Sequence, residues 1–380
     1  MSGYPIDVDD HVTPSPRYKA LGAFRLVLAL IVIANHGAWA AKGTPIGDLL
    51  IGSKFGTAAV LMFFVLSGYV ITEAATTFYA RRPFAYATNR ALKIVPAFVA
   101  ALILSLMVHL VLKSQDRLLE GIAFEGYTAV PSGMFGSVNL TFNVLSVLPL
   151  PTDFVRWLFA TDLYLFVRYI WAVQVEVAFY AVVFVIMVSW PRIRRYPLVL
   201  LGTFVVASLI AERATYELQF APYFAIGALV FLGRARVPYF SWFVGAAVAL
   251  IAVHLWRFLP NIQAVTMLAA LVAAFFLLLR LNPAPSMARI DRRLGDLSYA
   301  LYLNQYAVLV VFSSLSMATG APVFVALIVC GLAVSLAMYV LIEAPLVQIR
   351  SRIRLAAQRR QAPRRQSASF EGRRLGHDNP

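Results

Sequence analysis

The chain has 380 residues, of which 61% are hydrophobic and 13% charged, with a net charge of +15. Soluble domains carry about 25% charged residues and cannot hide so large an apolar share, so a soluble enzyme and a disordered chain are both excluded. A single cysteine, Cys330, permits no intrachain disulfide and no thiolate metal cluster, which leaves a polytopic membrane protein.

Residues 1–17 (MSGYPIDVDDHVTPSPR) are polar and partly acidic. They offer no basic leader and no small-residue cleavage site ahead of the first apolar run. They are expected to remain as a cytoplasmic segment, with the first span inserting as its own anchor. Windows of about 20 largely apolar residues predict ten transmembrane helices. These lie near 18–39, 56–77, 91–112, 167–189, 197–211, 218–233, 238–257, 262–280, 296–316 and 321–343. The windows at 197–211 and 218–233 are short. The stretch 136–150 holds Asn139, Asn143 and Pro149 and reads as a loop or re-entrant segment. It belongs to a long connection, about 113–166, that either caps a site or merely links two helices. No strand alternation of the outer-membrane barrel type is present. The expected fold is an all-α membrane bundle of about ten helices over 18–345, followed by a basic tail at 346–380.

Charge placement gives the orientation. With the N-terminus inside, 24 of the 33 Lys and Arg residues fall on the cytoplasmic side and 8 on the outer side, with Arg25 inside the first span. Both termini are then cytoplasmic. Nine arginines lie between Arg350 and Arg374, in a stretch with too little apolar content to offset its ordering entropy. That tail is expected to be disordered against anionic headgroups rather than to bind nucleic acid.

Ionisable groups inside a span are costly and therefore candidates for function. Among the carboxylates, Glu176 stands deep in the run IWAVQVEVAFYAVVFVIMV; among the cations, Arg25 is clearly inside a span. The span histidines His36, His109 and His254 all fall near outer helix ends. Eleven positions separate Arg25 and His36, about three turns plus 20°, so they share a helix face about 16 Å apart along the axis. A guanidinium near the inner surface suits phosphate, and an imidazole near the outer one suits proton transfer. The plain alternative is a snorkelling Arg and a hydrogen-bonded core His. Glu176 is expected at the depth of His36, where it can orient the imidazole, with Tyr180 at i+4 on the same face; a purely structural inter-helix bond is the alternative. Arg90 and Lys93 form a second phosphate clamp or a positive-inside anchor. Ser67-Gly68 marks a close helix approach, with Ser67 also a candidate substrate contact.

These segments together resemble acyltransferase family 3, the multi-span membrane O-acyltransferases. LGAFRLVLALIVIANHGAWA is similar to the family's Arg-x10-His opening, and FFVLSGYVIT to its Phe-Phe-x-x-Ser-Gly block. NRALKIVPAF resembles Arg-x-x-Arg-Ile-x-Pro, and IWAVQVEVAFY resembles Trp-Ser-x-x-x-Glu-x-x-Phe-Tyr. LGDLSYALYLNQY and LIEAPLVQIR resemble the Ser-Tyr-x-x-Tyr-Leu and closing Glu-x-Pro segments. Six blocks in the family's order span residues 21–350.

The resemblance implies transfer of a short acyl group, usually acetyl from acetyl-CoA, to a hydroxyl of an envelope glycan or glycolipid in the bacterial cytoplasmic membrane. It makes His36 the catalytic histidine, Arg25 its companion and Glu176 a supporting carboxylate. Arg25, Arg90 and Lys93 then face the donor's phosphates, with Trp171, Tyr180 and Ser67 lining the substrate path. No metal and no permanently bound cofactor is expected, acyl-CoA being a donor substrate. The sequence departs from the family at Lys93, which replaces an Arg, and at Ala172, which replaces a Ser. Asn304-Gln305 stand where a Trp-His pair is common, and no hydrolase-like domain is expected after the bundle. A transporter or flippase of lipid-linked glycan is the competing reading, although no repeat relates the two halves.

Overall fold

The computed structural model describes residues 19, 21–119, 123–124, 127–128, 140–148, 164–193, 220–233, 261–281, 284–315 and 318–359. The expected spans at 197–211 and 238–257, His254, residues 1–17 and the tail beyond 359 lie outside the described residues. Among the described residues the architecture is helical, apart from a two-stranded antiparallel turn pairing Ala123–Phe124 with Tyr127–Thr128.

The helices are α1 (Gly22–His36), α2 (Pro45–Leu50), α3 (Phe55–Glu73), α4 (Pro83–Ser114) and α5 (Leu140–Leu145). They continue with α6 (Trp171–Ile193), α7 (Ala221–Leu232), α8 (Ile262–Arg280), α9 (Pro285–Leu315), α10 (Ala321–Met338) and α11 (Ala344–Arg359). Among the described residues five segments are long and apolar enough to cross a bilayer: Phe55–Phe78, Pro83–Ser114, Arg168–Ser189, Ile262–Arg280 and Ala321–Ala357. Helices α1 and α7 coincide with expected spans but are shorter, at 15 and 12 residues. Within 136–150 the structure forms α5, a six-residue helix too short to cross.

Helix α3 is apolar on all sides and mostly buried, as a central helix must be. Its small residues admit neighbours at backbone distance. A Cβ on Gly68 would sit 2.0 Å from the Phe224 carbonyl oxygen, and one on Gly227 would sit 1.8 Å from that of Val65. The Ser67-Gly68 patch therefore does form a close α3–α7 contact. Helices α1 and α8 also pack on α3. The outer ring is different: Val325, Val329 and Leu336 on α10, and Ile103, Met107 and Leu110 on α4, are exposed. An apolar surface this broad belongs to lipid rather than water. The protein is a membrane protein.

Helix α4 is continuous through Pro96 and buries one stripe, Tyr86, Asn89, Lys93, Ala97, Ala101, Ser105, His109 and Leu112. The 3–4 spacing of that stripe places Lys93 inside the bundle. Helix α9 is amphipathic at its N-terminal end, yet every residue from Ser298 to Val310 is buried. Its many polar side chains thus face protein and not lipid.

Helices α1 and α9 run side by side. The α1 N-cap, Leu21, supplies no side-chain bond. Instead Asp291 on α9 takes the free helix amides, its Oδ2 accepting from Gly22 N at 2.8 Å and its Oδ1 from Ala23 N at 2.7 Å. A carboxylate at a helix N-terminus is favourable. At the other end His36 meets Gln305 at 3.0 Å. Both contacts join residues 269 apart in sequence, so the helices are parallel and in register over about 21 Å. No side chain fits between them at the start: a Cβ on Gly22 would lie 1.8 Å from the Asp291 carbonyl oxygen.

The segment Tyr339–Glu343 is a π turn joining α10 to α11. Pro345 lacks the amide that would bond Leu341, and its ring crowds that carbonyl, which accounts for the widened turn. The basic segment beyond 346, expected to be disordered, is helical as far as Arg359. Its RSRIRLAAQR stretch has good helix formers with no Gly or Pro, and α11 packs against α4, with Asn89 Nδ2 donating to the Arg350 carbonyl at 3.1 Å.

Candidate functional site

A cavity with about 440 Å³ of open space, its mouth included, lies among α1, α3, α6 and α9. Each helix sends polar groups to it: Arg25 from α1, Ser67 from α3, Glu176 from α6, and Ser298, Tyr299 and Tyr302 from α9. Phe63, Phe64 and Val173 supply apolar wall. Glu176 Oε1 accepts from the Tyr180 hydroxyl at 2.5 Å and, at a long 3.4 Å, from Ser67 Oγ. The i+4 spacing of Glu176 and Tyr180 sets up the first bond directly.

Two further cations stand behind this wall. The Arg90 guanidinium lies over the Tyr180 ring at 5.5 Å and the Tyr86 ring at 5.6 Å. Lys93 Nζ lies 5.9 Å from the centre of the Tyr299 ring. Such contacts hold cations in a dry setting without neutralising them. The Nε atoms of Arg25, Arg90 and Arg350 are buried without hydrogen-bond partners among the described residues. Lys93 feels the charges of Arg25, Arg90, Arg350 and Glu176 together. Trp171, at the start of α6, packs edge-on against Phe64 at 6.1 Å and at a tilt against Phe220 at 5.2 Å, next to the cavity.

His36 occupies a separate place, at the far end of α1. Its ring stacks on Tyr169, with centroids 3.9 Å apart and planes 7° from parallel. Its Nδ1 bonds Gln305 Oε1. The expected pairing of Glu176 with His36 does not form. Glu176 sits on the Arg25 cavity and bonds Tyr180 and Ser67, while the imidazole bonds an amide of α9. The reason is the α1–α9 register, which brings Gln305 to His36 and leaves α6 facing the cavity lower down. Tyr302 connects the two places: it lines the cavity, and its hydroxyl donates to the Tyr169 carbonyl at 2.7 Å.

His109, the second span histidine, is fully buried, bonded to the Ser105 carbonyl at 2.6 Å and to the Tyr164 hydroxyl at 2.7 Å. Its surroundings are those of a packed core histidine. Among the described residues no group of His, Cys, Asp and Glu side chains is arranged to hold a metal.

Residues 18–340 match the family model described as an acyltransferase domain, that of acyltransferase family 3. The chain belongs to that family. No curated protein and no solved structure matches it. The acyltransferase blocks are far apart in sequence, yet they meet in space. Arg25, Phe63-Phe64 with Ser67, Ala172 with Glu176, and Ser298-Tyr299 with Tyr302 all line the one cavity, and Arg90 and Lys93 back it. The closing Glu-x-Pro block joins them. Glu343 is buried, both its oxygens lack hydrogen-bond partners among the described residues, and it feels Asp296, Lys93, Arg350 and Arg25.

Sequence reasoning missed Glu343, Tyr169 and the pairing of Gln305 with His36. Glu343 was detectable as a carboxylate next to an apolar run. The stack on Tyr169 carries no sequence signal, because the partners are 133 positions apart.

Proposed function

We propose that this acyltransferase is an O-acyltransferase of the bacterial cytoplasmic membrane. It moves a short acyl group, acetyl by preference, from acyl-CoA to a hydroxyl of an envelope or exported polysaccharide or glycolipid. The observation that carries this reading is the convergence of the family's blocks on one cavity lined by Arg25 and backed by Arg90 and Lys93, with His36 three turns further along the helix that supplies Arg25. Ten spans with both termini cytoplasmic complete the proposal. The parallel run of α1 and α9 supports it, since the first and ninth of ten spans cross in the same direction.

In this mechanism the donor enters from the cytoplasm and its phosphates meet Arg25, Arg90 and Lys93. The pantetheine arm follows α1 toward His36. The imidazole takes the proton of the acceptor hydroxyl as its oxygen attacks the thioester carbonyl. The tetrahedral intermediate collapses with cleavage of the C–S bond. The departing thiolate then takes the proton from the imidazolium, returning His36 to its neutral form and releasing CoA. Glu176 acts at the cavity through Tyr180 and Ser67.

The test is mass spectrometry of envelope polysaccharide from a strain lacking this protein. Loss of an acetyl mass from otherwise normal polymer is expected. Loss of the exported polymer itself would instead make the protein a transporter, and an unchanged spectrum would refute the acyl-transfer reading for that polymer.

A further inference from the structure

The hydrogen bonds around Gln305 determine more than the position of His36. A glutamine amide presents an acceptor oxygen and a donor nitrogen, and its orientation follows from its neighbours. Gln305 Nε2 is 3.0 Å from the Tyr302 carbonyl oxygen, a group that can only accept. The reverse orientation would set two oxygens face to face in a buried site, so the amide nitrogen must point at Tyr302. Gln305 Oε1 is then the atom that faces His36 Nδ1 at 3.0 Å, and an oxygen there requires a donor. Nδ1 therefore carries the proton. A neutral imidazole with Nδ1–H leaves the Nε2 lone pair bare. Nε2 takes no hydrogen bond from any described residue, while the ring face is held by the Tyr169 stack.

We infer that Gln305 is a positioning residue that fixes His36 as its Nδ1–H tautomer, so that Nε2 is the atom that accepts the acceptor's proton. The inference deepens the proposed function and rests on it for the role of Nε2. Its structural part, the tautomer, stands on the hydrogen bonds alone. Tyr302 is the source of the constraint. Its carbonyl orients the amide and its hydroxyl holds Tyr169 through the backbone, so one turn of α9 sets both the tautomer and the ring plane. In catalytic triads an aspartate does this work. Here a neutral amide does it, which adds no net charge beside the imidazole.

The test uses full-length protein in liposomes, labelled with ¹⁵N-histidine and examined by NMR at pH 8, above the ordinary imidazole range. The His36 signal is assigned by its loss in His36→Asn. The wild type is expected to show a protonated Nδ1 and a bare Nε2. Gln305→Met, similar in size but without the acceptor, loses that preference. With radiolabelled acetyl-CoA and envelope polysaccharide from the deletion strain, its kcat falls at least about tenfold while KM for acetyl-CoA stays within twofold. Gln305→Glu restores an acceptor opposite Nδ1, keeps the Nδ1 proton and recovers kcat to within about fivefold of wild type. A wild-type His36 protonated on Nε2 would overturn the inference, as would a Gln305→Met protein with unchanged tautomer and unchanged kcat. Absence of acetyl transfer by the wild type would refute the enzymatic reading alone, with the NMR result still deciding the tautomer.

Discussion

Gly22→Ala is the smallest change that tests the α1–α9 contact. Its added Cβ would lie 1.8 Å from the Asp291 carbonyl oxygen, whereas real Cβ contacts essentially never fall below 3.0 Å. The helices must part there by at least about 1.2 Å, the difference between those distances. The Asp291 bonds to Gly22 and Ala23, now 2.8 and 2.7 Å, then stretch to about 4 Å and are lost. Hydrogen bonds to a charged group contribute about 1.5–3 kcal/mol each, so losing both costs roughly 3–6 kcal/mol. Helix propensity has the opposite sign, favouring alanine over glycine by up to about 1 kcal/mol. A rigid shift of α1 would also carry the His36–Gln305 bond from 3.0 Å to beyond hydrogen-bond range and lower kcat at least about tenfold. Unfolding in detergent followed by tryptophan fluorescence reads the first effect, and acetyl transfer reads the second. Asp291→Ala provides the comparison: combined with Gly22→Ala it should add little, because both remove the same two bonds. A Gly22→Ala protein as stable as wild type, with full kcat, would refute the reasoning.

Two further substitutions separate strong contacts from weak ones. Tyr180→Phe removes the 2.5 Å bond to Glu176 and keeps the ring beneath Arg90, so kcat/KM for acetyl-CoA should fall by about 10- to 100-fold; Ser67→Ala, which deletes only a 3.4 Å contact, should cost less than about threefold in the same initial-rate assay. Tyr169→Leu abolishes the stack on His36, worth about 0.5–1.5 kcal/mol, and should lower kcat by about two- to tenfold with the Gln305 bond still in place.

The sequence made the chemistry of the Arg25 cavity legible. Arg25, Glu176, Arg90 and Lys93 stand out because charge in an apolar span is costly, and the structure gathers all four around one cavity. The i+4 pairing of Glu176 with Tyr180 was readable from helical periodicity alone. What could not be read was which helices are neighbours. Glu176 is expected at the depth of His36 from its place in the outer half of the fourth span, which does not say which helix faces the imidazole. The match of α1 with α9 decides that, and it depends on Gly22 and Asp291 at the opposite end of the helices. Gln305 looked like the loss of a histidine. In three dimensions it is the partner of one. The π turn at Tyr339–Glu343 shows a similar limit: Pro345 signals a break, but only packing shows that Glu343 turns inward.

The central claim is that His36 performs the proton transfer of an acyl-transfer reaction. The most direct measurement returns His36→Ala to the deletion strain, confirms wild-type amounts of inserted protein, and weighs the acetyl content of the envelope polysaccharide. The account predicts that acetylation falls to the level of the deletion strain, a loss of at least about a thousandfold in rate. Acetylation equal to that of the strain carrying the wild-type protein would contradict it.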